Sequence, residues 1–378
     1  MPPHSDILII GAGPSGLAVG ACLARHGLPA QIFERGDTIG WSWAQRYEFL
    51  RLHTPRGFSD LPGLPLPASR YPDRNELLAY LHDYARQAGL EVECGREATA
   101  LARENGAWRV ETSRGPVRAR QVVIASGFYA ERRPEPNWPG REIFSGRWLK
   151  PTEVWRLTDW NGRRPLIVGL GNTAADVLAL LHSRGARTAV SIRGAVHLAP
   201  RELLGANAFQ WRRWVPERLL GLRRFGDKAR RMAERTGALL WWLLQEHHYR
   251  DLRLRGLALK SVEEILRDHL AGHVPVIAGS WLNLLRNGEI PIFPAIATFT
   301  TEGAVFVDGR RESFTDIIPA LGYSDRRFPL AGDVQAPMRD GPVPGRPGLW
   351  VCGANPGLYQ IRPAARRVAR AIAREMRR

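Results

Sequence analysis

Two short glycine-rich stretches hold the residues best placed to do chemistry on a phosphate. The first, DILIIGAGPSG at residues 6–16, spaces Gly11, Gly13 and Gly16 as a dinucleotide pyrophosphate requires. Gly11 permits a tight turn, Gly13 lets the backbone approach the anion, and Gly16 lets a helix pack close to a strand. Pro14 and Ser15 open that helix, whose first N–H groups are left for the phosphate. Glu34, with Arg35 after it, closes the next predicted strand, where a carboxylate accepts from a ribose hydroxyl. The second stretch, PLIVGLGNTA at residues 165–174, repeats the pattern with Gly169, Gly171, Asn172, Thr173 and Ala174. There Arg193 stands where Glu34 stood. A guanidinium pairs with a 2′-phosphate that an acid would repel, so the second site reads as NADPH; an arginine merely ending a strand in solvent is the plainer alternative. Two dinucleotide sites in one chain imply a relay from nicotinamide to flavin, which makes the first site FAD.

These residues need elements to hold them. Four apolar residues before Gly11 predict a strand buried on both faces, the Ala/Leu-rich run after Gly16 predicts a crossover helix stopped at Gly27, and a strand at 29–34 completes a βαβ unit. A helix over 173–183 and a strand over 188–193 do the same for the second copy. The runs ending at Ser126-Gly127 and at Gly322 read as strands closing each module, and GLWVCG, ending at Gly353, supplies a last strand before a basic helix over 363–377. The expected fold class is α/β, with two Rossmann-like dinucleotide-binding domains and the NADPH domain inserted into the FAD domain. Residues 1–160 and 296–378 are expected to form the FAD-binding domain, and 161–295 the NADPH-binding domain, with a helical insertion at about 205–260.

Composition narrows the function. The 378 residues carry a net charge of +17, built almost wholly from arginine, since Lys150, Lys228 and Lys260 are the only lysines. That is the pattern a GC-rich coding bias leaves, and no nucleic-acid motif accompanies it, so no nucleic-acid partner is expected. Cys22, Cys94 and Cys352 lie too far apart for a disulfide framework, a CxxC pair or a metal cluster, which points to a cytoplasmic location without a metal. The apolar run at 238–244 is too short to span a membrane. Without CxxC a disulfide reductase fails, while a quinone reductase, or a basic binding protein with vestigial nucleotide sites, stays open.

Longer stretches resemble a known family. WAQRYEFLRLHTP at 43–55 is similar to the W…LxLHxP stretch of the flavin-containing (class B) monooxygenases, and VHLAPRELLG at 196–205 resembles the VHVLPREMLG of their YUCCA-type members. Two departures stand out. In FSGRWLKPTEV at 144–154, Lys150 replaces the histidine and Val154 the aromatic residue of the family's identifying motif, and its ATGY is ALGY at 320–323. The resemblance implies that NADPH reduces FAD, that O2 adds at flavin C4a, and that retained NADP+ shields the (hydro)peroxyflavin until a small organic substrate arrives. It implies catalytic positions at His53, donating to the peroxide or the nicotinamide amide, and at Lys150, with Trp41 and Trp43 beside the flavin ring. Arg201, within Pro-Arg-Glu, is a candidate anchor for a phosphate or a substrate carboxylate, and pairing with Glu202 or another nearby acid is the equal alternative. The expected reaction is oxidative decarboxylation of an indole-3-pyruvate-like 2-oxo acid. N- or S-oxygenation, Baeyer-Villiger oxidation of a specialised metabolite, and NADPH oxidase activity remain alternatives. The expected partners are the small-molecule substrate and O2, with a homodimer left open.

Overall fold

The computed structural model describes residues 4–127, 131–207, 227–271, 273–324, 339–354 and 357–377. Residues 208–226 of the expected helical insertion lie outside the described residues. The chain divides into two compact units, one made of Met1–Glu131 with Tyr323–Arg378 and the other of Arg132–Gly322.

The first unit is built on β1 (His4–Ile10), β2 (Gln31–Glu34), β3 (Glu91–Cys94), β4 (Ala98–Glu104), β5 (Ala107–Thr112) and β6 (Val117–Ile124). β1 lies between β2 and β6 in parallel register, β3 follows β2, and the strand Leu349–Val351 runs parallel beside the last residues of β6. The first residues of β6 instead continue an antiparallel meander with β5 and β4. Alternation along β1 divides the core. Ile7 and Ile9 pack with α1 (Pro14–Ala24) and the helix Leu358–Met376, while Leu8 and Ile10 meet Trp108, Val110 and Val117 of the meander. The last helix begins at Leu358, ahead of the expected start at 363, with Pro363 inside it. Burial of Ile361, Ala364 and Ala365 holds that first turn against the core, and Pro363 forgoes one backbone bond near the helix start.

In the second unit β7 (Arg147–Trp148), β8 (Pro165–Val168), β9 (Ala189–Ser191), β10 (Ile292–Phe293) and β11 (Asp316–Pro319) form a wholly parallel sheet in the order β10-β9-β8-β11-β7. The sheet therefore takes in 147–148 and 316–319, which fall inside the residue bounds expected for the FAD-binding domain, although the run ending at Gly322 does close the second module as read from its glycine. Asp316, wholly buried at the head of β11, is held by Arg147 Nε on one carboxylate oxygen and by Arg163 Nε on the other at 2.8 Å. A carboxylate is tolerated there because it is paired. α2 (Asn172–Ser183) follows β8 as the crossover helix. The helices Asp227–Tyr249 and Val262–Leu270 occupy the described part of the insertion. Among the described residues no helix is long and apolar enough to cross a membrane.

Candidate functional site

The first glycine turn is fixed by steric necessity. Gly11 has φ +105°, its N–H donates to Phe33 O at 2.7 Å, and a Cβ there would lie 2.6 Å from Ala125 O. At Gly16 a Cβ would lie 1.9 Å from Gly11 O, so α1 starts in contact with the turn. Gly13 is the opposite case, since a Cβ would meet nothing within 4 Å. It caps α1 without any side-chain hydrogen bond, and the first helical bond is Leu17 N–H to Gly13 O at 3.1 Å. The Ser15 and Gly16 N–H groups thus have no intrahelical acceptor, and an open backbone with free donors is a seat for an anion.

Glu34 is buried and engaged. Its Oε2 accepts from Ala12 N at 2.8 Å and its Oε1 from Gly36 N at 3.1 Å. Gly40 N donates to Ala12 O at 3.0 Å, so the Ala12 peptide is held at both ends. Each Glu34 oxygen keeps a further lone pair with which to accept from a ribose hydroxyl. Trp41 opens a short helix capped by Gly40; its indole lies on Gly36, where a Cβ would sit 1.9 Å from Trp41 Cγ, and the Arg35 guanidinium is 5.0 Å from its ring centre. Trp43 is half-buried against the core of the same unit.

His53 is half-buried in a loop that is well tied. Leu52 N donates to Pro72 O at 2.8 Å, the Thr54 and Ser59 hydroxyls are 2.9 Å apart, and Leu61 N donates to the Tyr80 hydroxyl at 2.7 Å. Burial pushes the Tyr80 hydroxyl up to about 12, so it stays protonated and donates to Leu64 O at 2.7 Å. Half-buried Ser126 and exposed Gly127 follow β6, and Gly353 follows the strand Leu349–Val351. A Cβ at Gly353 would lie 2.3 Å from Ser15 Oγ, which puts this residue against the start of α1. Gly11, Gly13, Pro14, Ser15, Gly16, Glu34, Ser126, Gly127 and Gly353 are thus brought to the edge where the parallel strands end, the usual place for a ligand in such a sheet. Sequence reasoning missed Gly36 and Gly40, which were visible as glycines flanking the acid. It also missed Asp340, whose Oδ1 accepts from Gly353 N at 2.7 Å and Ala354 N at 2.9 Å and which carries no local signal.

The second turn repeats the backbone and changes the side chains. Gly169 has φ +98° and donates to Ser191 O at 2.8 Å, and a Cβ there would lie 2.9 Å from Ala320 O. Gly171 caps α2 with open space around it, and Ala175 N to Gly171 O at 3.0 Å is the first helical bond, leaving the Asn172, Thr173 and Ala174 N–H groups for an anion. The Asn172 side chain is already engaged, with Nδ2 donating to Pro275 O at 3.0 Å and Oδ1 accepting from Ile277 N at 2.8 Å. Its contribution to a phosphate is therefore its backbone N–H. Arg193 lies beyond the end of β9, exposed and without an ion-pair partner among the described residues.

Lys150 is solvent-facing, its side chain 65% exposed and its Nζ 3.7 Å from Glu153 Oε1. Val154 is fully buried in the core of the second unit, and Phe144 packs with Trp148 and Phe299, so this stretch builds core here. Arg201 O accepts from Asn207 Nδ2 at 3.1 Å. Burial raises the Cys22 and Cys352 thiols, and burial followed by the charges of Glu34 and Asp37 raises Cys94. None is a thiolate near neutral pH, as thiol-disulfide exchange would require.

The chain matches, over residues 8–202, the family model described as pyridine nucleotide-disulphide oxidoreductase. It is 34% identical over 385 residues to indole-3-pyruvate monooxygenase YUCCA1 of Oryza sativa subsp. japonica, covering 97% of this chain and 90% of that protein. Indole-3-pyruvate monooxygenase YUCCA8 of Oryza sativa subsp. indica is 33% identical over 84% of this chain and 75% of its own length. Among solved structures, a flavin-containing monooxygenase from Stenotrophomonas maltophilia has the same fold, with a TM-score of 0.72 at 22% identity over 99% of both chains.

Proposed function

The chain belongs to the flavin-containing monooxygenases of the YUCCA type, which use FAD and NADPH, and from that premise we propose that it oxidatively decarboxylates a small 2-oxo acid of the indole-3-pyruvate class. In this reaction one oxygen atom of O2 enters the shortened carboxylic acid, the other leaves as water, the old carboxyl leaves as CO2, and NADPH supplies the two electrons. The observation that carries the reading is a likeness spanning nearly the whole chain to a protein named for that reaction.

The first turn, with Glu34, Arg35, Trp41, Trp43, Ser126, Gly127 and Gly353, holds FAD, and the second, with Thr173 and Arg193, holds NADPH. Bound there, the flavin supplies two-electron transfer and the activation of O2. The protein supplies the rest. Free helix N–H groups neutralise each pyrophosphate, Arg193 pairs with the 2′-phosphate, and Trp43 keeps an apolar wall that excludes water. His53 is the proposed donor toward the reacting oxygen, from an enclosed loop. Lys150, the second proposed catalytic residue, presents its ammonium to solvent beside Glu153.

The test is turnover of indole-3-pyruvate with NADPH under labelled O2. We expect indole-3-acetate carrying one labelled oxygen, with one NADPH consumed per product. NADPH consumption that yields only hydrogen peroxide, with no labelled acid from indole-3-pyruvate or phenylpyruvate, overturns the reading.

A further inference from the structure

We propose that Asp340 is a positioning residue for the flavin, locking the turn that seats the start of α1 for the pyrophosphate. The inference rests on FAD lying at the first glycine turn. The strand Leu349–Val351 keeps its ladder with β6 as far as Cys352 N–H, which donates to Ile124 O at 3.0 Å. Past that point the next two N–H groups, Gly353 and Ala354, donate to Asp340 Oδ1 at 2.7 and 2.9 Å. A charged acceptor taking two successive N–H groups fixes the direction in which the chain leaves the sheet.

What that direction determines is the contact with α1. Gly353 has φ +89° and packs so closely on Ser15 that no side chain fits between them. Ser15 is buried in the first turn of α1, and its N–H is one of the donors left without a helical partner. The order of contact is therefore Asp340 carboxylate, Gly353 backbone, Ser15 and the anion seat. Asp340 reaches its place from the edge of the same sheet, because Gly341 pairs antiparallel with Val351. Asp340 thus acts through the Gly353 backbone to decide where a phosphate donor stands.

The test compares FAD release from holoenzyme carrying Asp340→Ala or Asp340→Asn, read as recovery of flavin fluorescence after dilution. Asp340→Ala should speed release about tenfold or more and should raise amide exchange at Gly353 and Ala354, while exchange in β1 and β6 stays unchanged. Asp340→Asn keeps a carbonyl acceptor and should release FAD within about threefold of the unsubstituted rate. Three results overturn the proposal: unaltered release from Asp340→Ala, release from Asp340→Asn as fast as from Asp340→Ala, or faster exchange throughout β1 and β6. An Asp340→Ala chain that yields no folded holoenzyme makes the residue one of general stability and overturns it too. Gly11→Val separates the premise: if that variant retains FAD, the site reading fails, whereas loss of FAD in Gly11→Val but not in Asp340→Ala sinks the inference alone.

Discussion

The carboxylate that closes β2 points into the protein, and the guanidinium that follows β9 points out of it. Glu34, 7% exposed, holds the Ala12 and Gly36 N–H groups, whereas Arg193 is exposed and unpaired among the described residues. The turns differ again at the third small position, where Gly16 excludes a methyl group at 1.9 Å from Gly11 O and Ala174 buries one. They differ a third time at the first helical residue, which is Pro14 at one turn and at the other Asn172, tied to residues 275–277. The shared fingerprint is a specification for backbone. Side chains around it are used by the fold at the first turn, whereas at the second Arg193 stands exposed beyond the end of its strand. The proposed role of Arg193 in choosing NADPH therefore competes with no structural task among the described residues.

The contrast can be broken in four places. Gly16→Ala should do most damage, costing about 3 kcal/mol through overpacking against backbone and emptying the FAD site, read by thermal melting and flavin absorbance. Glu34→Ala strands two buried N–H groups, and a denaturant melt should show a loss of about 2–3 kcal/mol along with weakened FAD binding. Arg193→Ala should leave stability within about 0.5 kcal/mol yet lower the preference for NADPH over NADH about tenfold or more, measured as the ratio of kcat/KM values for flavin reduction. An unchanged ratio would mean that Arg193 is only a solvated residue. Ala174→Gly should change cofactor use least, costing about 1 kcal/mol of stability from helix propensity and a lost buried methyl group, with NADPH still bound.

Both turns could be read from sequence because their constraints are local, with glycines a few residues apart and an apolar strand directly before them. Asn172 was read as a nucleotide ligand, and its side-chain partners at 275–277 are far along the chain, where spacing gives no warning. Asp340 was invisible for the same reason, since its partners lie on a different strand. Pro363 was read as a helix start because proline favours the first turn, yet packing of Ile361 and Ala364 carries the helix back to Leu358. Lys150 and Val154 were legible as departures from a motif, but that Val154 would be wholly buried needed the fold.

The first unit is assembled from both sides of the second, and this orders events during synthesis. Residues 1–131 leave the ribosome with the 122–124 edge of β6 unpaired and the Ile7 and Ile9 face of β1 lacking the helix that covers it. Both gaps close only when 349–376 have been translated, after the whole of the second unit. The nascent chain therefore carries an open, apolar strand edge through about half of its synthesis, a state prone to aggregation and suited to chaperone capture. Gly353, which packs on Ser15 at the start of α1, also arrives late. A premature stop upstream of Leu349 should accordingly leave a colourless, insoluble fragment rather than a shortened flavoprotein.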